Sequence, residues 1–425
     1  MKKLLSLIAM AAVLTVYAHP DFTIKYDRAE PVYKCGETAR ITITATENGN
    51  LVKTGKIKAT VLRDGQNAIV KNIDLAKENP FVIETTSEKP GFIQVMLPTL
   101  KGKKISNIAR AGAGFDVEKI EMGYGLPADF MEFWQKGCKA MENTPVNLVK
   151  NDARSTDKYT FYDVSIKTFD NDTMYGYLTV PTGKGPFPAY VLIPGAGPGF
   201  VSPDLKIANA GAISLMMNVT RFDCTHQAAV RKKYYYSVYL KDGKYYLKGF
   251  SKRETYFFYS TYTAISRVID HVAAMKEYDK KNMVVRGSSQ GGGSALILAA
   301  LNKNITAAVS QVAALSDHGA FKQQRRSGWP SFSTRTKEMN VTAETVDAVA
   351  PYFDAANFSR FIKVPTLMTV GFVDRICHPS CVYAAYNQLK CEKEMINMPL
   401  TGHAISDEAK EKCDNWVYNK LGLKK

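Results

Sequence analysis

Val284-Val285-Arg286-Gly287-Ser288-Ser289-Gln290-Gly291-Gly292-Gly293-Ser294-Ala295 is the stretch whose reading decides the fold. A short β-branched run arrives at Gly287, turns through Ser289, and leaves into the small, apolar, helix-forming run from Ser294 to Leu301. A Gly-x-Ser-x-Gly pattern set between a strand and a helix makes a nucleophile elbow, a sharp turn that lifts a serine above the sheet. The glycines have a steric reason. The serine sits in a strained backbone conformation, and a side chain at Gly287 or Gly291 would collide with the turn. Ser289 is therefore the expected nucleophile, and Ser288 is expected to point elsewhere.

The elements around the elbow alternate. Before it, Tyr159 to Val164, Thr173 to Val180, Ala189 to Ile193 and Ala212 to Val219 read as strands. A long helix is expected from about Glu254 to Glu277, with Ile265, Val268, Ile269 and Val272 as its buried stripe. After it come strands at Ala307 to Val312, Thr366 to Gly371 and Met395 to Pro399, with a polar, aromatic insert from Asp317 to Asn340. A last helix begins near Ser406, with Asp407 and Glu408 in its first turn, where the helix dipole favours anions. Strands separated by helices imply an α/β fold with a mainly parallel sheet covered on both faces. Asp129 is placed to cap a helix carrying Phe130, Phe133 and Trp134, and a hairpin turn is expected at Lys241-Asp242-Gly243-Lys244.

The first part of the chain reads differently. From about Asp21 to Val117, Ile41, Ile43 and Ala45 alternate with Thr42, Thr44 and Thr46, and Ile57, Ala59 and Val61 alternate with Lys58 and Thr60. That period of two marks strands with one buried face. Turn signals lie between them at Glu47 to Asn50, Arg63 to Gln66 and Glu88 to Gly91. Short strands with no helical stretch suggest an immunoglobulin-like β-sandwich at 19–118. It carries no catalytic constellation and reads as a structural or substrate-orienting module. Glu118 to Pro127 is the expected linker to the catalytic domain at 119–425.

A chain of 425 residues suits two domains, one of them large, and 45% apolar with 23% charged residues is ordinary for a globular protein. Met1-Lys2-Lys3, the short apolar run Leu4 to Val16 and Val16-Tyr17-Ala18 read as a secretory signal peptide over 1–18, with a mature start near His19. No cysteine lies near that cut to carry a lipid anchor, and no later segment is long and apolar enough to span a bilayer. The expected location is therefore periplasmic or secreted. The net charge of +16 is scattered, apart from short clusters such as Lys101 to Lys104 and Arg231 to Lys233. It reads as a basic solvated surface with no nucleic-acid partner. Export permits disulfides, but the seven cysteines are an odd number with no Cys-x-x-Cys and no zinc spacing. Cys377 and Cys381 could approach each other on a helix, and at least one thiol is expected to stay free.

A serine needs a base, and the base an orienting acid. Asp374 falls just past the strand ending at Gly371, and His403 lies in the loop before the last helix. The order Ser289, Asp374, His403 is that of an α/β-hydrolase, in which loops at the strand ends converge. With six histidines in the chain, His378 is the fallback base and Asp279 the fallback acid. The oxyanion requires donors, expected from the backbone N–H of Gln290 and from Ala196, with Gly197 as the alternative, in the Gly-rich loop Pro194 to Gly199. That loop lacks the ending of a P-loop and the spacing of a dinucleotide fingerprint. No cofactor and no metal is expected.

With these pieces placed, the chain resembles the acetyl xylan esterase / cephalosporin C deacetylase family of α/β-hydrolases (carbohydrate esterase family seven) from about Met122 onward. The resemblance is carried by Pro127-Ala128-Asp129-Phe130-Met131-Glu132-Phe133-Trp134, Gly287-Ser288-Ser289-Gln290-Gly291-Gly292 and Tyr352-Phe353-Asp354-Ala355-Ala356-Asn357. It continues through Gly371-Phe372-Val373-Asp374-Arg375-Ile376-Cys377-His378-Pro379-Ser380 and Tyr383-Ala384-Ala385-Tyr386-Asn387. It implies Ser289, Asp374 and His403 as the catalytic set and removal of acetyl groups from sugars. The family's His-Gly-Tyr is replaced by Pro194-Gly195-Ala196, its Arg-Gly-Gln by Thr220-Arg221-Phe222 or thereabouts, and the Glu after its histidine by Ala404. The expected partner is a small-molecule or oligosaccharide ester, with an oligomer possible. The competing readings are an esterase or peptidase of other specificity on the same scaffold, and a non-catalytic glycan-binding protein.

Overall fold

A computed structural model of the chain describes residues 20–101, 104–198, 201–225, 227–236 and 244–424. The signal peptide expected at 1–18, most of the hairpin turn expected at Lys241 to Lys244, and Gly199 of the expected oxyanion loop lie outside the described residues.

The catalytic part is built on a nine-stranded sheet. Its order is Val146–Lys150, Tyr159–Lys167, Thr173–Pro181, Ile213–Met217, Phe187–Ile193, Tyr278–Ser288, Ala307–Gln311, Thr366–Gly371 and Lys393–Met398. From Ile213–Met217 to the far edge every neighbour is parallel, whereas the first three strands join antiparallel. The parallel strands are buried on both faces because side chains alternate. Tyr190, Val284, Val309 and Leu367 face one side, where Ala409, Cys413, Val417 and Leu421 of the last helix (Asp407–Leu421) cover them. Val191, Val285, Ala308 and Met368 face the other, against the helices Phe257–Ala274 and Gln290–Leu301.

Strand Phe187–Ile193 lies between Ile213–Met217 and Tyr278–Ser288, so the strand order reverses around it. That reversal opens a crevice at the carboxyl ends of the strands. The loop from Pro194 and the elbow at Ser289 both enter this crevice.

The N-terminal part forms two sheets around a core of their own. Asp21–Tyr26, Ala39–Glu47, Asn50–Leu51 and Phe81–Thr85 make one; Val32–Tyr33, Lys56–Arg63, Gln66–Asp74, Gly91–Lys101 and Lys104–Phe115 make the other. Ile41, Ile43 and Ala45 of the first sheet meet Ile57, Ala59, Val95 and Ala111 of the second. The segment Glu118 to Pro127 differs from a loose linker. Ile120, Met122 and Tyr124 are buried in the catalytic core, and Gly123 N donates to Asp317 Oδ1 at 2.7 Å. Apolar side chains this frequent leave a connecting segment little choice but to pack. Asp129 also departs from expectation. It sits at the N-cap of the helix Phe130–Met141 without a side-chain cap, its carboxylate held by Arg253 at 2.7 Å and by the Tyr352 hydroxyl.

Candidate active site

Ser289 closes the strand Tyr278–Ser288 and opens the helix Gln290–Leu301 with φ 59° and ψ −120°. A non-glycine residue in this region is strained and persists only where its surroundings hold it. Ser289 N donates to Gln311 O at 2.9 Å, and Ser289 O accepts from Ala314 N at 2.9 Å and Gly293 N at 3.2 Å. The flanking glycines are required by close approach. A Cβ on Gly287 would lie 2.1 Å from Gly291 O, and one on Gly291 would lie 2.0 Å from Ile193 O.

The two strand-end residues singled out in the sequence meet Ser289. His403 Nε2 lies 2.9 Å from Ser289 Oγ, and His403 Nδ1 lies 2.7 Å from Asp374 Oδ2. Asp374 is fully buried, and its Oδ1 accepts from Ile376 N at 2.8 Å and Cys377 N at 3.0 Å. The backbone thus fixes the carboxylate with one oxygen and leaves the other for the imidazole. The fallbacks are engaged elsewhere. His378 is directed at the sandwich, where a Cβ on Gly65 would touch its ring at 2.7 Å. Asp279 caps a turn at the opposite end of the elbow strand, accepting from Lys281 N and Asn282 N. Burial pushes the His378 imidazole down to about 4, with Arg326 adding to the shift.

The expected oxyanion donors lie on either side of the elbow. Gln290 begins its helix, so its N–H has no partner within the helix. Ala196 is exposed in the loop after strand Phe187–Ile193, and a Cβ on the preceding Gly195 would stand 3.7 Å from Ser289 Cβ.

Three further residues, Tyr245, Arg221 and Cys377, had no role at the site assigned from the sequence. Tyr245 donates its hydroxyl to the buried Gln290 Oε1, fixing the side chain behind the elbow. Its signal is only a Tyr-rich stretch, which carries no address. Arg221, in the loop after Ile213–Met217, is buried with φ 60°. It pairs with Asp170 at 2.9 Å and donates to Phe257 O at 2.6 Å and Thr261 Oγ1 at 2.8 Å, tying two strand connections to a helix start. Cys377 stands beside the acid. Burial holds its thiol well above the ordinary range, and the Asp374 carboxylate pushes the same way. Ligand atoms of Asp374, Cys377 and His403 all lie within 4.8 Å of one another, the set among the described residues able to surround a metal ion. Within it Asp374 Oδ2 and His403 Nδ1 are hydrogen-bonded to each other. All seven cysteines are free thiols, Cys377 and Cys381 included.

The profile of the acetyl xylan esterase (AXE1) family matches residues 118–420. The chain belongs to this family. It is 30% identical to acetyl esterase Axe7A of Xylanibacter ruminicola over 401 residues, 93% of this chain and 87% of that protein. A match of that extent takes in most of the N-terminal sandwich. Two solved structures share the fold: acetyl xylan esterase 1 from Thermoanaerobacterium sp. (TM-score 0.62, 21% identity, 72% of this chain and 97% of that one) and acetyl xylan esterase from Paenibacillus sp. R4 (TM-score 0.58, 23% identity, 71% and 98%). The protein is an α/β-hydrolase and a carboxylic ester hydrolase acting on carbohydrate esters. No helix of the described residues is long and apolar enough to cross a membrane.

Proposed function

We propose that the protein is an exported serine esterase that removes acetyl groups from plant-derived xylo-oligosaccharides through Ser289, His403 and Asp374. The observation that carries this reading is the continuous hydrogen-bonded chain from Ser289 Oγ through both imidazole nitrogens to Asp374 Oδ2. His403 Nδ1–H donates to Asp374, which leaves Nε2 free to take the Ser289 proton as Oγ attacks the ester carbonyl. Asp374 stabilises the imidazolium that forms. The N–H groups of Gln290 and Ala196 receive the oxyanion, and Ser289 is already raised into the crevice by its backbone. His403 then gives that proton to the departing sugar oxygen, and water, deprotonated by His403, attacks the acetyl-enzyme to release acetate and regenerate Ser289.

Acetyl as the acyl group is supported by the names of the relatives, an acetyl esterase and two acetyl xylan esterases. Export is supported by the basic, apolar and small-residue pattern of residues 1–18. The test is hydrolysis of p-nitrophenyl acetate and of acetylated xylo-oligosaccharides, alongside feruloyl and peptidyl substrates, by the wild type and Ser289→Ala. The wild type is expected to release acetate fastest and to be labelled by a fluorophosphonate. Full activity in Ser289→Ala would sink the assignment.

A further inference from the structure

Strand Gly91–Lys101 of the sandwich is buried on both faces along Gly91 to Leu97. Ile93, Val95 and Leu97 enter the sandwich core, whereas Phe92, Gln94 and Met96 point away from it. Phe92 and Gln94 meet the loop that carries Asp374, and the neighbouring strand meets the loop that carries His403. Gln94 is fully buried; its Nε2 donates to Phe372 O at 2.9 Å and reaches Asp374 O at 3.5 Å. The Phe92 ring stands edge-on to Phe372, centroids 4.9 Å apart. On the neighbouring strand Gly112 N donates to Pro399 O at 2.9 Å and also meets the Tyr26 hydroxyl at 3.0 Å. The backbones approach so closely that a Cβ on Gly112 would lie 2.4 Å from Phe372 Cβ. Beside it Arg110 Nη1 lies over Gly402, where a Cβ would be 2.3 Å away, one residue before His403.

The two loops also lean on each other. Phe372 N donates to Met398 O at 3.1 Å and Val373 N to Thr401 O at 3.2 Å. A loop is mobile unless something holds it, and here the outer support comes from another domain. We infer that the sandwich is a working part of the active site, with Gln94 and Gly112 as positioning residues. They hold the acid loop and the base loop at the spacing that completes the Asp374–His403–Ser289 chain. The inference rests on the catalytic roles proposed above. Gln94 acts on the main chain of the acid's loop, so its loss displaces the carboxylate without touching the nucleophile. A displacement of about 1 Å at a catalytic group costs on the order of a hundredfold in rate.

The test uses the full chain with Gln94→Met, which keeps volume and removes the donor, and Gly112→Ala, which inserts a methyl group against Phe372. Turnover of p-nitrophenyl acetate is expressed per site titrated by a fluorophosphonate, so that unfolded protein is not counted. Both variants are expected to lose about tenfold or more in kcat with KM within about twofold, since the interaction removed serves the transition state. The ascending limb of the kcat–pH profile is expected to move to lower pH, because a carboxylate held less closely stabilises the imidazolium less. Val82→Thr, on an exposed position of the sandwich's other sheet, is the control with unchanged kcat. Wild-type kcat per titrated site with an unmoved limb in Gln94→Met overturns the inference, as does a loss confined to the number of titratable sites. If Ser289→Ala stays active and the probe does not label, the catalytic assignment falls and takes this inference with it. If Ser289→Ala is inert and Gln94→Met is normal, only the positioning role falls.

Discussion

Replacing Asp374 with asparagine separates the charge of this carboxylate from its structural work. Asparagine keeps an oxygen for the N–H groups of Ile376 and Cys377, which Asp374 Oδ1 serves at 2.8 and 3.0 Å. It then places its amide donor against His403 Nδ1 in place of the anionic oxygen 2.7 Å away. Two unit charges about 4 Å apart at an effective dielectric near 20 interact by about 4 kcal/mol, so losing the carboxylate–imidazolium attraction costs on the order of a thousandfold in kcat. An amide donor facing Nδ1 also turns the imidazole to the tautomer with a proton on Nε2, which cannot accept from Ser289; with that effect the loss approaches about ten thousandfold. Asp374→Ala differs in kind. It leaves two buried N–H groups without an acceptor, each costing about 1–3 kcal/mol of stability. The assay is kcat for p-nitrophenyl acetate, with thermal unfolding measured on both variants. Asp374→Asn should unfold near the wild-type temperature and be nearly inactive, and Asp374→Ala should be both inactive and less stable. Asp374→Asn within about tenfold of wild-type kcat would refute the electrostatic role, because the charge term alone exceeds that.

Other outcomes follow from the same geometry. Gly291→Ala forces a methyl group onto a backbone carbonyl that cannot yield, Ile193 O at 2.0 Å; we expect a loss of about 3 kcal/mol, read as an unfolding temperature lower by roughly 3–5 °C. Tyr245→Phe strips the buried Gln290 Oε1 of its hydroxyl donor and loosens the residue whose N–H is proposed to receive the oxyanion; kcat should fall about tenfold with little change in KM. His318 and His378 are buried, and burial pushes both imidazoles down to about 4. The unfolded chain therefore binds more protons below its own value of about 6.5, so their contribution is intact above that pH and is lost as pH falls towards 4, at about 1.4 kcal/mol per pH unit for each. Unfolding temperatures measured from pH 7 to pH 4 should drop accordingly, and His378→Gln should flatten the slope. Arg221→Met removes a buried cation from Asp170 and Asp172 and takes one donor from Phe257 O, which keeps Thr261 Oγ1; because both carboxylates are partly exposed, we expect a loss of about 1–2 kcal/mol by chemical denaturation.

The elbow was legible because its requirements are local. A strand, a serine forced to positive φ and glycines at the two close approaches must follow one another within a few residues, so Gly287, Ser289 and Gly291 announce themselves in order. Asp374 and His403 were legible for a related reason: each follows a short apolar strand, and strand ends in a parallel sheet share one edge. The sandwich strands were likewise written in the alternation of Ile41, Ile43 and Ala45 with threonines.

What tertiary structure alone decided lies in contacts between distant segments. Gln94 and Phe372 are 278 positions apart, and nothing in a polar residue between Ile93 and Val95 says which carbonyl it will serve. Gly112 admits the close approach of Phe372 from another segment, and no local pattern names that neighbour. Asp129 read as a cap because it precedes a helix, yet Arg253 and Tyr352 reach it first. Tyr245 behind Gln290 is of the same kind. Local sterics and periodicity specify how a segment bends and which face it buries. Which polar partner meets which depends on how separately formed elements dock, within the α/β part for Asp129 and Tyr245 and between it and the sandwich for Gln94.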